Sequence, residues 1–197
     1  GESMNFSLNY NNALEYAAWL HRSQVRKGTQ TPYIAHPVAV SLLGIEHGAT
    51  ESEAIAALLH DALEDGPQYS GRSLTDIQNY ITHHFGLGVL EIVAGCTQIE
   101  TEQQNWWERK QAYIDHLPQA SPSVHLVSCC DKLHNLLCIL RDYEVVGEEV
   151  WQRFSQGREG VMFYYPALAR AFAEVGVCQP LLSRLQAAVV QLEKVQF

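Results

Sequence analysis

No stretch of the chain is apolar enough to suggest a membrane span. Gly28 to Ile45 carries no Asp, Glu, Lys or Arg, but Pro32, His36 and Pro37 interrupt it and it is too polar to cross a bilayer. Paired CxxC motifs are missing as well. The five cysteines are an odd number and include the adjacent pair Cys129-Cys130, which fits reduced thiols in a cytoplasmic protein better than a disulfide framework. Basic residues are scarce: 13 Lys and Arg stand against 22 Asp and Glu, a formal charge of -9 that discourages adhesion to nucleic acid or anionic lipid. No nucleic acid and no membrane are expected as partners, and an acidic surface does not forbid an anionic small molecule where a metal or a local Lys/Arg cluster supplies positive charge. Internal repeats, low-complexity tracts and Gly/Ser/Pro-rich linkers are absent, and so is any convincing apolar alternation of period two. At 197 residues, with 47% hydrophobic and 18% charged residues, the chain suits one folded domain with a sizeable core. Gly1-Glu2-Ser3, ahead of Met4, is set aside as an expression remnant.

Helical spacing is present almost throughout. Ala13, Tyr16, Ala17 and Leu20 form an i, i+3, i+4, i+7 stripe that predicts a helix from about Leu8 to Gln24, followed by a loop over Val25 to Tyr33. Pro37 suits the first turn of a helix running to about His47, and Gly48 suits its end. Thr50-Glu51-Ser52-Glu53 has the form of a capping box for the next helix, expected to stop at Gly66-Pro67. Further helices are expected over Ser73–Phe85, Leu87–Thr97, Gln103–Leu117, Pro122–Tyr143 with Ser121 as N-cap, Glu159–Val175 and Pro180–Val195. The fold class is all-α. The expected organisation is one domain over 1-197, with its core at about 8-175 and a C-terminal helix at about 180-195.

The third of these helices ends in "AALLHDALEDG", Ala56 to Gly66. On one continuous helix His60 would stack over Glu64 and Asp61 over Asp65, with His60 and Asp61 both able to reach one ion. Alone, the stretch reads more readily as a frayed helix end with solvated acids and His60 as a satisfied core histidine. Two other segments add to it. "TPYIAHP" brackets His36 with prolines where a loop enters a helix. "CCDKLHN" places Asp131 in an otherwise apolar helix, where an ionised carboxylate is costly unless paired or bound to a cation, with Asn135 four residues on. His36, His60, Asp61 and Asp131 together offer two imidazoles and two carboxylates, a mixture suited to a divalent ion such as manganese; zinc is less attractive without thiolates.

The order H…HD…D is that of HD-domain metal phosphohydrolases. "RKGTQTPYIAHPVAV", "AALLHDALEDG", "ITHHFGLGVLEIVAGCTQ", "ERKQAYIDHL" and "VSCCDKLHNLLCIL" resemble the hydrolase domain of RelA/SpoT proteins, and most of all the stand-alone small alarmone hydrolases. The resemblance runs from about Ala13 to Tyr165. It implies a helical HD bundle that binds one manganese ion and hydrolyses the 3′-pyrophosphate of guanosine tetra- or pentaphosphate to pyrophosphate and GDP or GTP. No synthetase domain is expected. Glu64 and Asp65 would orient the attacking water and take its proton. Asn135 would donate to a ribose or phosphate oxygen. Arg26 and Lys27 match a basic pair that contacts the nucleotide, where a solvated turn is the plainer alternative. Arg109 and Lys110 would reach the diphosphates, or serve solubility on a surface helix. Tyr164 matches a tyrosine near the nucleotide, with core packing as its alternative. The chain departs from better-known members at Gly66-Pro67, where a Thr is common, and at Trp106-Trp107 before Glu108, both near the expected substrate mouth.

His47, His83, His84, His116 and His125 lack an acidic partner at metal spacing and are assigned to packing or solvent, as is His134. Cys129 and Cys130 are expected to be inert buried thiols, and the two tryptophans to anchor their helix. Two rivals stand beside the alarmone hydrolase: an HD phosphohydrolase acting on another nucleotide (an adenosine alarmone or a 2′- or 3′-phosphate), and a non-catalytic nucleotide sensor.

Overall fold

The computed structural model describes residues 5–98 and 102–195, so the tripeptide Gly1-Glu2-Ser3 lies outside the described residues. Among the described residues ten α-helices account for most of the chain, and the only β-pairing is an isolated bridge between Val25 and Pro32. The all-α reading holds. No described helix is long and apolar enough to cross a membrane. Two compact units divide between Thr97 and Gln98.

The first unit holds α1 (Leu8–Leu20), α2 (Ala35–Glu46), α3 (Glu51–Leu58), α4 (Ala62–Ser70), α5 (Leu74–Phe85) and α6 (Leu87–Cys96). Its core is built from the apolar faces the sequence predicts, with Ala13, Ala17, Leu20, Leu58, Leu59, Ile77, Ile81 and Val93 fully buried. Caps set the boundaries. Ser7 accepts from the Asn9 amide at the start of α1, Ser73 accepts from Asp76 at α5, and Thr50 with Glu53 forms the expected capping box.

In this unit three boundaries differ from the sequence reading, each for a local reason. Helix α1 ends at Leu20 rather than Gln24, because the chain must turn there: Gln24 N–H donates to His21 O at 3.0 Å and Tyr33 N–H donates to Gln24 O at 2.9 Å. The single helix expected through the HD stretch is two, α3 and α4, broken over Leu59 to Asp61. Ala57 O, which a continuing helix would offer to Asp61 N–H, instead accepts from the His60 ring at Nδ1, 2.7 Å away. Leu59 and Asp61 correspondingly leave helical dihedrals, at φ -108°, ψ 8° and φ -98°, ψ 4°. Finally, α4 does not stop at Gly66-Pro67 but runs through Pro67 to Ser70, ending at Gly71 with φ 77°. Gly66 permits a close approach to α5, since a Cβ there would sit 2.8 Å from Ile77 Cδ1.

The second unit holds α7 (Trp106–His116), α8 (Pro122–Val146), α9 (Gly157–Glu174) and α10 (Gln179–Lys194), with short 3₁₀ turns at Leu117–Gln119 and Gly147–Arg153. Helix α7 starts later than expected because Asn105 caps it, accepting from Glu108 N–H at 2.9 Å. Ser121 and Pro122 open α8 as expected. Trp106 lies against Gly160 of α9, where a Cβ would come within 3.1 Å of the indole, and Trp107 meets Phe163 edge-on at 5.4 Å. The tryptophans anchor α7 to α9.

Candidate active site

In the first unit, the break between α3 and α4 turns His60 and Asp61 toward the first turn of α2, which carries His36. Both histidines are buried. Because His60 Nδ1 donates to Ala57 O, the proton sits on that nitrogen and Nε2 is the ring's electron-pair donor. That Nε2 lies 3.0 Å from Asp61 Oδ2, and His36 Nε2 lies 3.9 Å from the same oxygen. The two imidazoles meet edge to face with centroids 5.0 Å apart. Two imidazole nitrogens thus lie within 4 Å of one carboxylate oxygen, the spacing of neighbouring ligands around a metal with bonds of about 2.1 Å. The donor set fits a divalent cation.

Tyr33 supports this corner from the loop before α2. Its hydroxyl donates to Asp61 Oδ2 in a short hydrogen bond, and its ring packs on His36 and His21. The Arg26 guanidinium lies over the outer part of the same ring, 5.8 Å from its centroid. Arg26 is thus joined to the metal corner through one side chain, whereas Lys27 is exposed on the loop.

Glu64 and Asp65 share the first turns of α4 but not an environment. Glu64 is exposed. Asp65 is half-buried, and burial, reinforced by the Asp61 carboxylate, pushes its pKa up against the opposing effects of Gln24, His21 and His60. Gln24 donates to Asp65 Oδ2 at 3.2 Å and accepts from His21 at 2.8 Å. The helix break takes His60 out of the run that carries Glu64, whereas Asp61 caps α4 and keeps helical register with Asp65, whose N–H donates to Asp61 O at 2.9 Å.

In the second unit, Asp131 projects from the middle of α8. Asn135 donates to its Oδ1 at 3.1 Å, and the Lys132 ammonium lies 3.3 Å from Oδ2. Lys132 is buried with its ammonium over the rings of Tyr113 and Tyr164, at 4.8 and 5.7 Å. Burial works against its charge, but Tyr164, Asp131, Tyr113 and Tyr165 outweigh it and hold the ammonium well above its ordinary pKa. Lys110 of α7 reaches the Tyr164 ring at 4.9 Å and the Trp106 ring at 5.6 Å, so two of the proposed substrate residues meet. Arg109 turns back along its own chain, donating to Gln104 O at 2.8 Å.

Sequence reasoning passed over Lys132, Tyr33, Gln24 and His21. Lys132 had a signal: with Ser128 and Leu136 it occupies an i, i+4, i+8 row on the buried face of α8. Tyr33 lies inside the quoted "TPYIAHP". His125 Nε2 bonds Leu117 O at 2.5 Å, His84 stacks on Tyr80, and Cys129 and Cys130 are fully buried.

The sequence and the fold match known proteins. A family model described as HD domain covers residues 13–162. The human guanosine-3′,5′-bis(diphosphate) 3′-pyrophosphohydrolase MESH1 is 37% identical over 142 residues, 71% of this chain and 72% of that protein. Its Drosophila melanogaster counterpart is 34% identical over 148 residues, 74% and 75% of the two chains. A solved structure described as a metazoan ortholog of SpoT that hydrolyses ppGpp superposes with a TM-score of 0.75 at 28% identity, covering 98% of this chain and 100% of that one. A Listeria monocytogenes structure follows at a TM-score of 0.64 and 25% identity, over 78% and 96% of the chains. By the extent of the family match and the identity to these relatives, the chain belongs to the HD-domain family.

Proposed function

We propose that this chain is a metal-dependent phosphohydrolase that removes the 3′-pyrophosphate of guanosine-3′,5′-bis(diphosphate) and of its pentaphosphate. The relatives named for that reaction support the substrate. The convergence of His60 Nε2 and His36 Nε2 on Asp61 Oδ2 carries the metal dependence. The ligands in this reading are His36, His60, Asp61 and, from the second unit, Asp131. The two compact units then form one HD domain, as a family match running across their boundary supports. Manganese is the proposed ion, because two imidazoles and two carboxylates without a thiolate suit it. When bound, the ion lowers the pKa of water and offsets charge building on the phosphoryl oxygens.

The protein groups supply the rest. Water adds to phosphorus, the bond from phosphorus to the 3′ oxygen breaks, and the 3′ oxygen gains a proton. Asp65, half-buried beside Asp61, is the group suited to take a proton from the water, with the more exposed Glu64 orienting that water and passing protons to solvent. Asn135, oriented by Asp131, is the donor to a ribose or phosphate oxygen in this reading. Arg26 presents a flat cation to the purine, and Lys27 adds charge at the same loop. Lys110, beside Tyr164, offsets the diphosphates in a chain of net charge -9, with Arg109 next to it on α7. A small-molecule nucleotide in the cytoplasm is the proposed partner and setting.

Incubating purified protein and Mn²⁺ with a panel of nucleotides tests the whole reading. Pyrophosphate release from the guanosine 3′-diphosphates, abolished by chelation, is expected. Preferential turnover of an adenosine alarmone or of 2′- or 3′-monophosphates would replace the substrate. Nucleotide binding without turnover would leave a sensor.

A further inference from the structure

Asp65 is held by residues outside the site as so far drawn. Gln24 sits just beyond the end of α1, 7% exposed, and its backbone is fixed on both sides by bonds to His21 O and from Tyr33 N–H. Its side chain bridges two buried groups, with Oε1 2.8 Å from His21 Nδ1 and Nε2 3.2 Å from Asp65 Oδ2. His21 is 2% exposed.

A primary amide has one accepting end and one donating end, and an ionised carboxylate only accepts. The donating end must therefore face Asp65. The accepting end then faces His21, which must carry its proton on Nδ1. His21 Nε2 is buried without a hydrogen-bond partner, so no second bond competes for the opposite tautomer. The three side chains have one consistent arrangement, and it occupies Asp65 Oδ2.

Resting on the reading of Asp65 as proton acceptor, we propose that Gln24, locked by His21, is a positioning residue for Asp65. It engages Oδ2 and fixes the rotation of the carboxylate, so that Oδ1 is the oxygen presented to the attacking water. Gln24 bonds His21 and Asp65 and is not among the residues assigned to the metal or the nucleotide. Its loss should therefore appear in turnover and not in binding.

The test combines kinetics with the protonation pattern of His21. Gln24→Leu is expected to lower kcat about 10–100-fold, the kinetic equivalent of one charge-assisted hydrogen bond, with KM and bound metal within about twofold of wild type. In an Asp65→Asn background the same change is expected to have no further effect. A residue that merely supports the fold would multiply its own loss onto that of Asp65→Asn. Nitrogen-15 NMR of the wild-type enzyme is expected to show His21 protonated at Nδ1 and bare at Nε2. This measurement stands even if the Leu variant fails to fold, and an Nε2–H tautomer overturns the proposal. If Asp65→Asn is slow but Gln24→Leu is not, or the two losses multiply, the role of Asp65 survives and that of Gln24 falls. If Asp65→Asn turns over normally, both fall together.

Discussion

Tyr33→Phe removes one hydroxyl and little else, and it separates the metal corner from the nucleotide loop. The phenol donates to Asp61 Oδ2, the oxygen that also faces His60 Nε2 at 3.0 Å. A hydrogen bond to a charged acceptor is worth roughly 1.5–3 kcal/mol. If that energy is spent on holding Asp61 in its ligating orientation, its loss weakens metal binding about 10–100-fold, at 1.4 kcal/mol per decade. This is also the range typical of losing an outer partner of a metal ligand. The phenyl ring remains, so its contacts with His36 and the Arg26 guanidinium are kept. Calorimetric titration of the metal-free protein with Mn²⁺ should show the weaker Kd, while at saturating Mn²⁺ the KM for nucleotide stays near wild type. Arg26→Ala should do the reverse, raising KM with the metal Kd unchanged. A Tyr33→Phe protein whose Mn²⁺ Kd lies within twofold of wild type would refute the claim that this hydroxyl orients a ligand.

His60→Ala and Asp131→Ala should each abolish turnover and weaken Mn²⁺ binding at least about tenfold; undiminished affinity in both would remove the site as drawn. Glu64→Gln and Asp65→Asn should keep the ion, by elemental analysis, while kcat falls about 10²–10⁴-fold, the usual contribution of a positioned general base; loss of the ion would make them ligands instead. Alkylation of the native protein at neutral pH should modify exposed Cys178 first and leave Cys129 and Cys130 untouched until the chain unfolds. Burial, with Cys130 and Cys178 adding to it, pushes the Cys129 thiol far above the usual range, and mass spectrometry showing early labelling there would contradict this packing.

The helical architecture was legible because most of its elements announce themselves locally. The Thr50–Glu53 box, the Ser121 cap and the Ala13-Tyr16-Ala17-Leu20 stripe each act within a turn or two of chain, and all three appear in the structure. The ligand candidates were legible for a different reason: a histidine or aspartate among buried apolar neighbours has few inexpensive explanations. What stayed hidden is tertiary. Gln24 and Asp65 are 41 residues apart, and nothing in either neighbourhood names the other. Lys132 hid in plain sight, since a lysine in a helix is normally read as solvated, and only the rings of Tyr113 and Tyr164 make its burial tolerable.

The break between α3 and α4 was invisible because the chain is apolar on every side there. Ala54 to Leu59, Ala62 and Leu63 are all buried, so a 3.6-residue period has no polar face against which an interruption could show. Yet the break makes the adjacent pair His60 and Asp61 useful. On a continuous helix neighbouring side chains diverge by about 100°, and they do not face each other. In the irregular turn over Leu59 to Asp61 they converge, His60 Nε2 to Asp61 Oδ2 at 3.0 Å. The imidazole itself holds the turn open, its Nδ1 bonding the Ala57 carbonyl that would otherwise extend α3. That same bond fixes the tautomer and leaves Nε2 as the electron-pair donor. One side chain thus ends a helix, turns its neighbour toward the same point, and sets its own protonation for a cation there.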